Sequence, residues 1–507
     1  MPSILKESLV YTLLSKISQA LLKKENTVFL LSIGYYCLLF ISPSNKFHFL
    51  FSLLYLGSLY LYSRKLSLSV FLTLIATLPF AKGKSINILL IPKELVSKYI
   101  LFDIQYIFPV YLADFFLFLL GYLYLKKFKT EYAQPSIIGS RYFAPLCLFF
   151  LFLVTVIIKS INSEFAPIIF LSSIQLLRMI IIFIIPALFK FNKHQLINCV
   201  IQLTLASLIF HSVWGILQFI NNGFLGQDLE VHLPESYQLS RTFENQDLLR
   251  SSGVFFEPSI YATFLLTHLA IILAWLSNKR IDSQQIIIPL VAVTSSLIAL
   301  ITTGSRGIYF LTTGLMIMWL VKQKNKLSAL FSIKAIMLII ISVIPFWPYL
   351  HNRIQTLGNV LKPDGSLTYR LQMVNYSVKL GMSHLNGVGI NLSPYFFATK
   401  FTQDQFIFDP TFPHNIFSEI FAETGIIGLV LFFLFIYLTL RNHFNLKTRI
   451  NIFAVGSIVY LISAQIYPIF LNQPELSSFL FLYLGLAIYI GHDQKISHNY
   501  SGLFKSR

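Results

Sequence analysis

The chain has 507 residues, 55% of them hydrophobic and only 12% charged, about half the charged fraction of an average soluble domain. That balance excludes an ordinary soluble globule. The formal net charge of +18 would suit nucleic acid, but most of the excess lies in short loops between apolar runs, where membrane topology alone calls for it, so no nucleic-acid partner is implied.

Several apolar runs reach the roughly 20 residues that cross a bilayer as a helix, and they are continuous rather than alternating, which argues against a β-barrel. The expected fold is all-α: a polytopic membrane bundle of about fourteen spans with one long loop over its outer face. Residues 1–26 carry Ile4, Leu5, Leu9, Leu13, Ile17 and Leu21 on one helical face with lysines elsewhere, which reads as an interfacial helix on the anionic inner leaflet. The first apolar run lacks a small-residue cleavage site behind it and is expected to be retained. Seven spans follow before residue 221, at 27–43, 47–63, 66–82, 106–125, 142–159, 165–189 and 196–220. Four more lie at 258–276, 285–303, 307–321 and 330–347, and three at 416–440, 450–471 and 475–491. The implied organisation is 1–26 interfacial, 27–200 N-terminal spans, 201–491 a second membrane region containing the polar loop 348–413, and 492–507 a tail.

Basic residues set the orientation. With both termini cytoplasmic, the loops holding Arg64-Lys65, Lys126-Lys127, Lys190, Lys279-Arg280, Lys322 and Arg441 all fall inside, as the positive-inside rule requires. The segment 83–105, with Lys84, Lys93 and Lys98, breaks the rule and is expected to be re-entrant or interfacial. The same alternation puts loop 221–257, the Gly304-Ser305-Arg306-Gly307 turn and loop 348–413 on one outer face. Cys37, Cys147 and Cys199 sit in apolar runs without paired spacing and read as small hydrophobes.

His414 follows Pro413 and precedes a span. A helix N-terminus lowers an imidazole's pKa and favours the neutral, proton-accepting form, so His414 is suited to be a general base; an interfacial anchor is the alternative. Arg306 lies in a glycine-flanked corner on the outer side, where phosphate or diphosphate is the natural partner for a planar guanidinium. Arg370 opens an amphipathic helix that ends near Gly387-Val388-Gly389, and it either binds the same anion or solvates that helix. Arg241 and Arg250 precede Gly253 and the Glu257-Pro258-Ser259 start of a span. Glu257 either stabilises that helix end or pairs with an arginine. Arg178, inside an apolar run, has no supporting neighbour. No clustered His and carboxylate set, P-loop or dinucleotide fingerprint is present, so neither a metal nor a cofactor is expected.

His414-Asn415, nine residues, Gly425, two residues, Gly428 resembles the histidine motif of the O-antigen ligase and O-antigen polymerase superfamily. Thr303 to Gly307 and Arg370 to Gly389 resemble its arginine segments, with Val374 where a leucine is usual. The resemblance covers about residues 200–450 and implies a metal-independent, inverting glycosyltransferase of the bacterial inner membrane, its site facing the periplasm. Its donor would be a glycan on undecaprenyl diphosphate. His414 would activate the acceptor hydroxyl and Arg306 and Arg370 would bind the diphosphate, with Arg250, Glu257, Arg241, Asn415 and Glu423 as candidate substrate-binding residues. A polysaccharide polymerase is the leading expectation, partly because the Arg250 to Ala262 segment looks like exopolysaccharide polymerases. The ligase that transfers to lipid A core is the alternative, a lipid-linked oligosaccharide flippase a weaker one, and a chain-length-regulating co-polymerase an expected partner.

Overall fold

The structure is a computed structural model that describes residues 26–42, 44–80, 83–86, 108–131, 140–160, 163, 165–226, 242–243, 246–255, 257–278, 286–323, 344, 347–348, 351, 355, 366–400, 413–443, 451–465 and 474–491. Four helices are long and apolar enough to cross a membrane, Ala166–Phe189, Lys193–Ile220, Pro258–Asn278 and Ile416–Leu440, and several shorter apolar helices accompany them. A described helix overlaps each expected span except 330–347, most of which lies outside the described residues, as do 1–25 and 492–507.

The chain forms two compact units. The first comprises Met1–Lys82, Leu112–Leu123 and Phe191–Gln355. Its described helices are α1 (Thr27–Phe40), α2 (Asn45–Ser63), α3 (Leu66–Thr77), the start of α4 (Leu112–Glu131), α7 (Lys193–Ile220), α8 (Pro258–Asn278), α9 (Ile287–Thr302) and α10 (Arg306–Gln323). Helix α7 is the hub, packing on α1, α3, α8 and α9. Because lipid supplies no hydrophobic drive between helices, close approach and polar contacts hold such a bundle. Gln202 of α7 accepts the Phe29 amide of α1 at 3.1 Å, and Ser32 and Tyr35 meet Tyr55 and Ser52 of α2 at 2.7 and 2.8 Å. Gly215 leaves the space that the Tyr261 ring of α8 fills; a Cβ there would overlap it.

The second unit comprises Gly83–Tyr111, Tyr124–Lys190 and Thr356–Arg507. It holds the end of α4, α5 (Phe143–Ser160), α6 (Ala166–Phe189), α11 (Ser366–Ser383), α12 (Ser393–Lys400), α13 (Ile416–Leu440), α14 (Ile452–Ser463) and α15 (Pro474–Ile490). Its core is aromatic: Phe149 of α5 packs on Phe435 of α13 and Phe481 of α15 with ring centroids 5.0 and 5.1 Å apart. Gly485 lets α15 approach the α6 backbone at Phe183, where any side chain would clash with the carbonyl.

The described residues are predominantly helical, as expected, and two short strand pairs accompany the helices. Strands β1 (Gly83–Ile86) and β2 (Phe108–Tyr111) pair antiparallel, with Gly83 opposite Tyr111 and Ile86 opposite Phe108. The span expected over 106–125 therefore begins as a strand and turns helical only at Leu112. Pro109 explains this, since it lacks an amide hydrogen and biases the residue before it towards extended backbone. A second short pair, β3 (Thr242–Phe243) and β4 (Gln246–Leu249), lies in the 221–257 loop.

Candidate functional site

In the second unit, the corner before α13 carries His414. Asn415 caps that helix: its Oδ1 accepts from the Phe417 and Ser418 amides at 3.1 and 3.0 Å. Its Nδ2 donates to Gln465 Oε1 at 2.9 Å, and the Ile416 amide donates to the Ala464 carbonyl at 2.9 Å. The corner is thus bolted to the end of α14, and Asn415 spends its amide on that joint. His414 itself is half-buried; its Nδ1 is buried with no hydrogen-bond partner. The buried Tyr369 of α11 meets the imidazole edge-on, centroids 5.8 Å apart. Burial first, and the Arg370 guanidinium second, hold the imidazole pKa well below its ordinary 6.5. The shift favours the neutral imidazole, and its leading cause is desolvation rather than the helix dipole.

The glycines of the histidine motif build a joint. Gly425 has φ 74 and ψ −171, breaking α13 in a conformation essentially reserved for glycine. Breaking a helix strands carbonyls, and the 385–389 segment takes them up. Val388 and Gly389 donate to the Ala422 and Glu423 carbonyls at 3.0 and 2.8 Å, and Ile426 donates to the Leu385 carbonyl at 3.1 Å. A Cβ on Gly387 would strike the Glu423 carbonyl, and one on Gly425 the Leu385 carbonyl. Gly428 leaves room for the Thr424 side chain. Glu423 is buried, and its carboxylate accepts from the Asn391 amide at 3.0 Å, the Ser393 hydroxyl at 2.7 Å and the Ser393 amide at 3.4 Å. It thereby ties the 391–393 turn, at the N-terminus of α12, to α13.

In the first unit, Arg306 is the first residue of α10 and half-buried, two residues after Gly304, whose φ is 61. Arg250 donates through Nε to the Thr303 carbonyl at 2.8 Å, and the Ser251 amide donates to the Thr302 carbonyl at 3.1 Å. Gln218 of α7 accepts the Ser252 and Gly253 amides at 3.2 and 2.8 Å and donates to the Gly253 carbonyl at 2.8 Å. The 250–255 segment and the arginine turn are thereby one fixed piece. Glu257, half-buried, precedes α8 and accepts the Ile260 and Tyr261 amides on its backbone carbonyl, both at 3.1 Å. Arg241 lies outside the described residues.

Residues 290–433 match the family model described as O-antigen ligase. Over that stretch the chain is similar to the O-antigen ligase family. The match runs from α9 into α13 and contains Arg306, Arg370, His414, Asn415 and Glu423, whereas Arg250 and Glu257 precede it. No curated protein matches the chain. His414 and Arg370, both inside the match, share one unit and an electrostatic interaction; Arg306, inside it, and Arg250, before it, share the other unit and the Thr303 turn. The sequence reading missed Tyr369, Gln218 and Gln465. Gln465 stands as an amide inside the apolar run 450–471, a signal that marks a helix-end contact as readily as a site.

Proposed function

We propose that the protein is a membrane glycosyltransferase of the O-antigen ligase and polymerase type. It moves a glycan from undecaprenyl diphosphate to the end of a lipid-linked repeat unit, as a polysaccharide polymerase of the bacterial inner membrane working at the periplasmic face. The observation that carries this is His414, a neutral imidazole with an unpartnered buried nitrogen beside the Arg370 guanidinium. In the proposed step the acceptor hydroxyl gives its proton to His414 as its oxygen attacks the anomeric carbon. The bond from that carbon to the diphosphate oxygen breaks with inversion, and the undecaprenyl diphosphate leaves with both electrons of that bond. Arg370 takes up the leaving group's charge, a role a fixed guanidinium fills well in a low-dielectric site, and the resemblance gives Arg306 the same role. The family description supports a second reading, transfer of the same glycan to lipid A core.

The two are separated by incubating the purified protein in proteoliposomes with lipid-linked repeat units, with and without lipid A core. A ladder of lengthening glycan without core supports the polymerase, and a single conjugate formed only with core supports the ligase. No transfer under either condition, with intact donor and folded protein, overturns both.

A further inference from the structure

We propose that α11 is a membrane-seated helix whose outward face rests in the headgroup and acyl boundary of the lipid leaflet. The helix has two apolar faces. One is buried in the second unit through Tyr369, Met373, Tyr376 and Leu380, with Gly381 against the Phe421 ring of α13. The opposite one is bare: Leu371, Val378 and Met382, with Leu385 just past the helix end, are 60%, 42%, 67% and 58% exposed. Steps of seven, four and three residues keep these four on one stripe. A water-facing loop helix has no reason to carry such a stripe.

Two observations select lipid as the occupant. First, the stripe continues into a lipid-facing surface: the Leu385 carbonyl accepts the Ile426 amide at 3.1 Å, and Ile426 and Ile427 are the first strongly exposed residues of α13. Second, the polar flank suits anionic headgroups. Helix α11 contains no acidic residue and carries Arg370 and an exposed Lys379, the latter 5.7 Å from the Tyr376 ring centroid. Seating α11 in this way holds Arg370 at headgroup depth, where a lipid diphosphate lies; that consequence rests on the proposed reaction, whereas the seating does not.

The test is site-directed spin labelling of the full chain in nanodiscs containing phosphatidylglycerol, in a background with Cys37, Cys147 and Cys199 replaced. Single cysteines at Val378 and Met382 are compared with Lys379 and Ser383, using oxygen as the lipid-soluble relaxer and a nickel chelate as the water-soluble one. Leu371 serves if a stripe label disturbs folding. The stripe labels should show an oxygen-to-nickel accessibility ratio several-fold above that of the flank labels. Nickel accessibility equal to the flank, or shielding from both relaxers as a covering polypeptide would give, overturns the proposal. Because accessibility is read without substrate, it stands or falls apart from transfer activity.

Discussion

Replacing Gly425 by alanine puts a side chain where the helix break has no room for one. The backbone conformation at Gly425 costs a non-glycine residue about 1–3 kcal/mol. The new Cβ would also strike the Leu385 carbonyl, which drives the 385–389 segment away from α13. The hydrogen bonds from Val388, Gly389 and Ile426 then open, at about 1 kcal/mol each, and the Ala422 and Glu423 carbonyls lose their partners. The total is about 5 kcal/mol, comparable with the whole stability of a modest domain. Thermal unfolding of the purified protein in detergent should show a large drop in midpoint, with transfer activity lost alongside. Gly314→Ala, at a helical glycine with open space around it, should melt like the wild type or slightly higher. Gly387→Ala should resemble Gly425→Ala, and the double variant should cost little more than either, because both destroy the same joint. A Gly425→Ala protein that melts with the wild type, or a double variant with additive losses, would refute the joint.

Glu423→Gln leaves one acceptor oxygen where the carboxyl group serves three donors and turns an amide donor towards the remaining ones; the melting point should fall by the equivalent of about 1–3 kcal/mol. Arg370→Gln removes a positive neighbour that disfavours imidazolium, so the His414 pKa rises and the acid limb of the pH–rate profile moves to higher pH. In the wild type that limb should lie below the ordinary histidine value of 6.5. Arg306→Lys replaces a planar fork by a point charge and should lower transfer markedly, as measured with the lipid-linked donor in proteoliposomes; full activity would argue against diphosphate recognition there. Transfer should also survive EDTA, and a strict divalent-ion requirement would remove the proposed charge neutralisation by arginine alone.

The membrane class was legible because lipid allows so few solutions: continuous apolar runs had to be helices, and described helices lie over nearly all of them. The exception at 106–125 was legible in principle, since Pro109 stands inside the run, but its strand partner at 83–86 lies too far away in sequence for periodicity to find. Gly425 shows the same limit. The run 416–440 reads as one helix, and the reason for its break is a segment some forty residues upstream that contributes the opposing hydrogen bonds. Glu423 and Asn415 stand out in the sequence as polar residues beside a span, yet a sequence cannot say whether such a group faces a ligand or its own backbone. Here Asn415 caps α13 and Glu423 receives the 391–393 turn. His414 differs because its buried nitrogen has no such local partner.

The most direct measurement is single-turnover transfer by purified His414→Ala protein from a lipid-linked diphosphate donor, beside the wild type and beside a donor-flipping assay. Loss of the base should slow glycan transfer by about 10²–10⁴-fold with donor binding and folding retained. Wild-type transfer by the variant, or unchanged transfer with altered flipping, would contradict the assignment of His414 as the group that accepts the acceptor's proton.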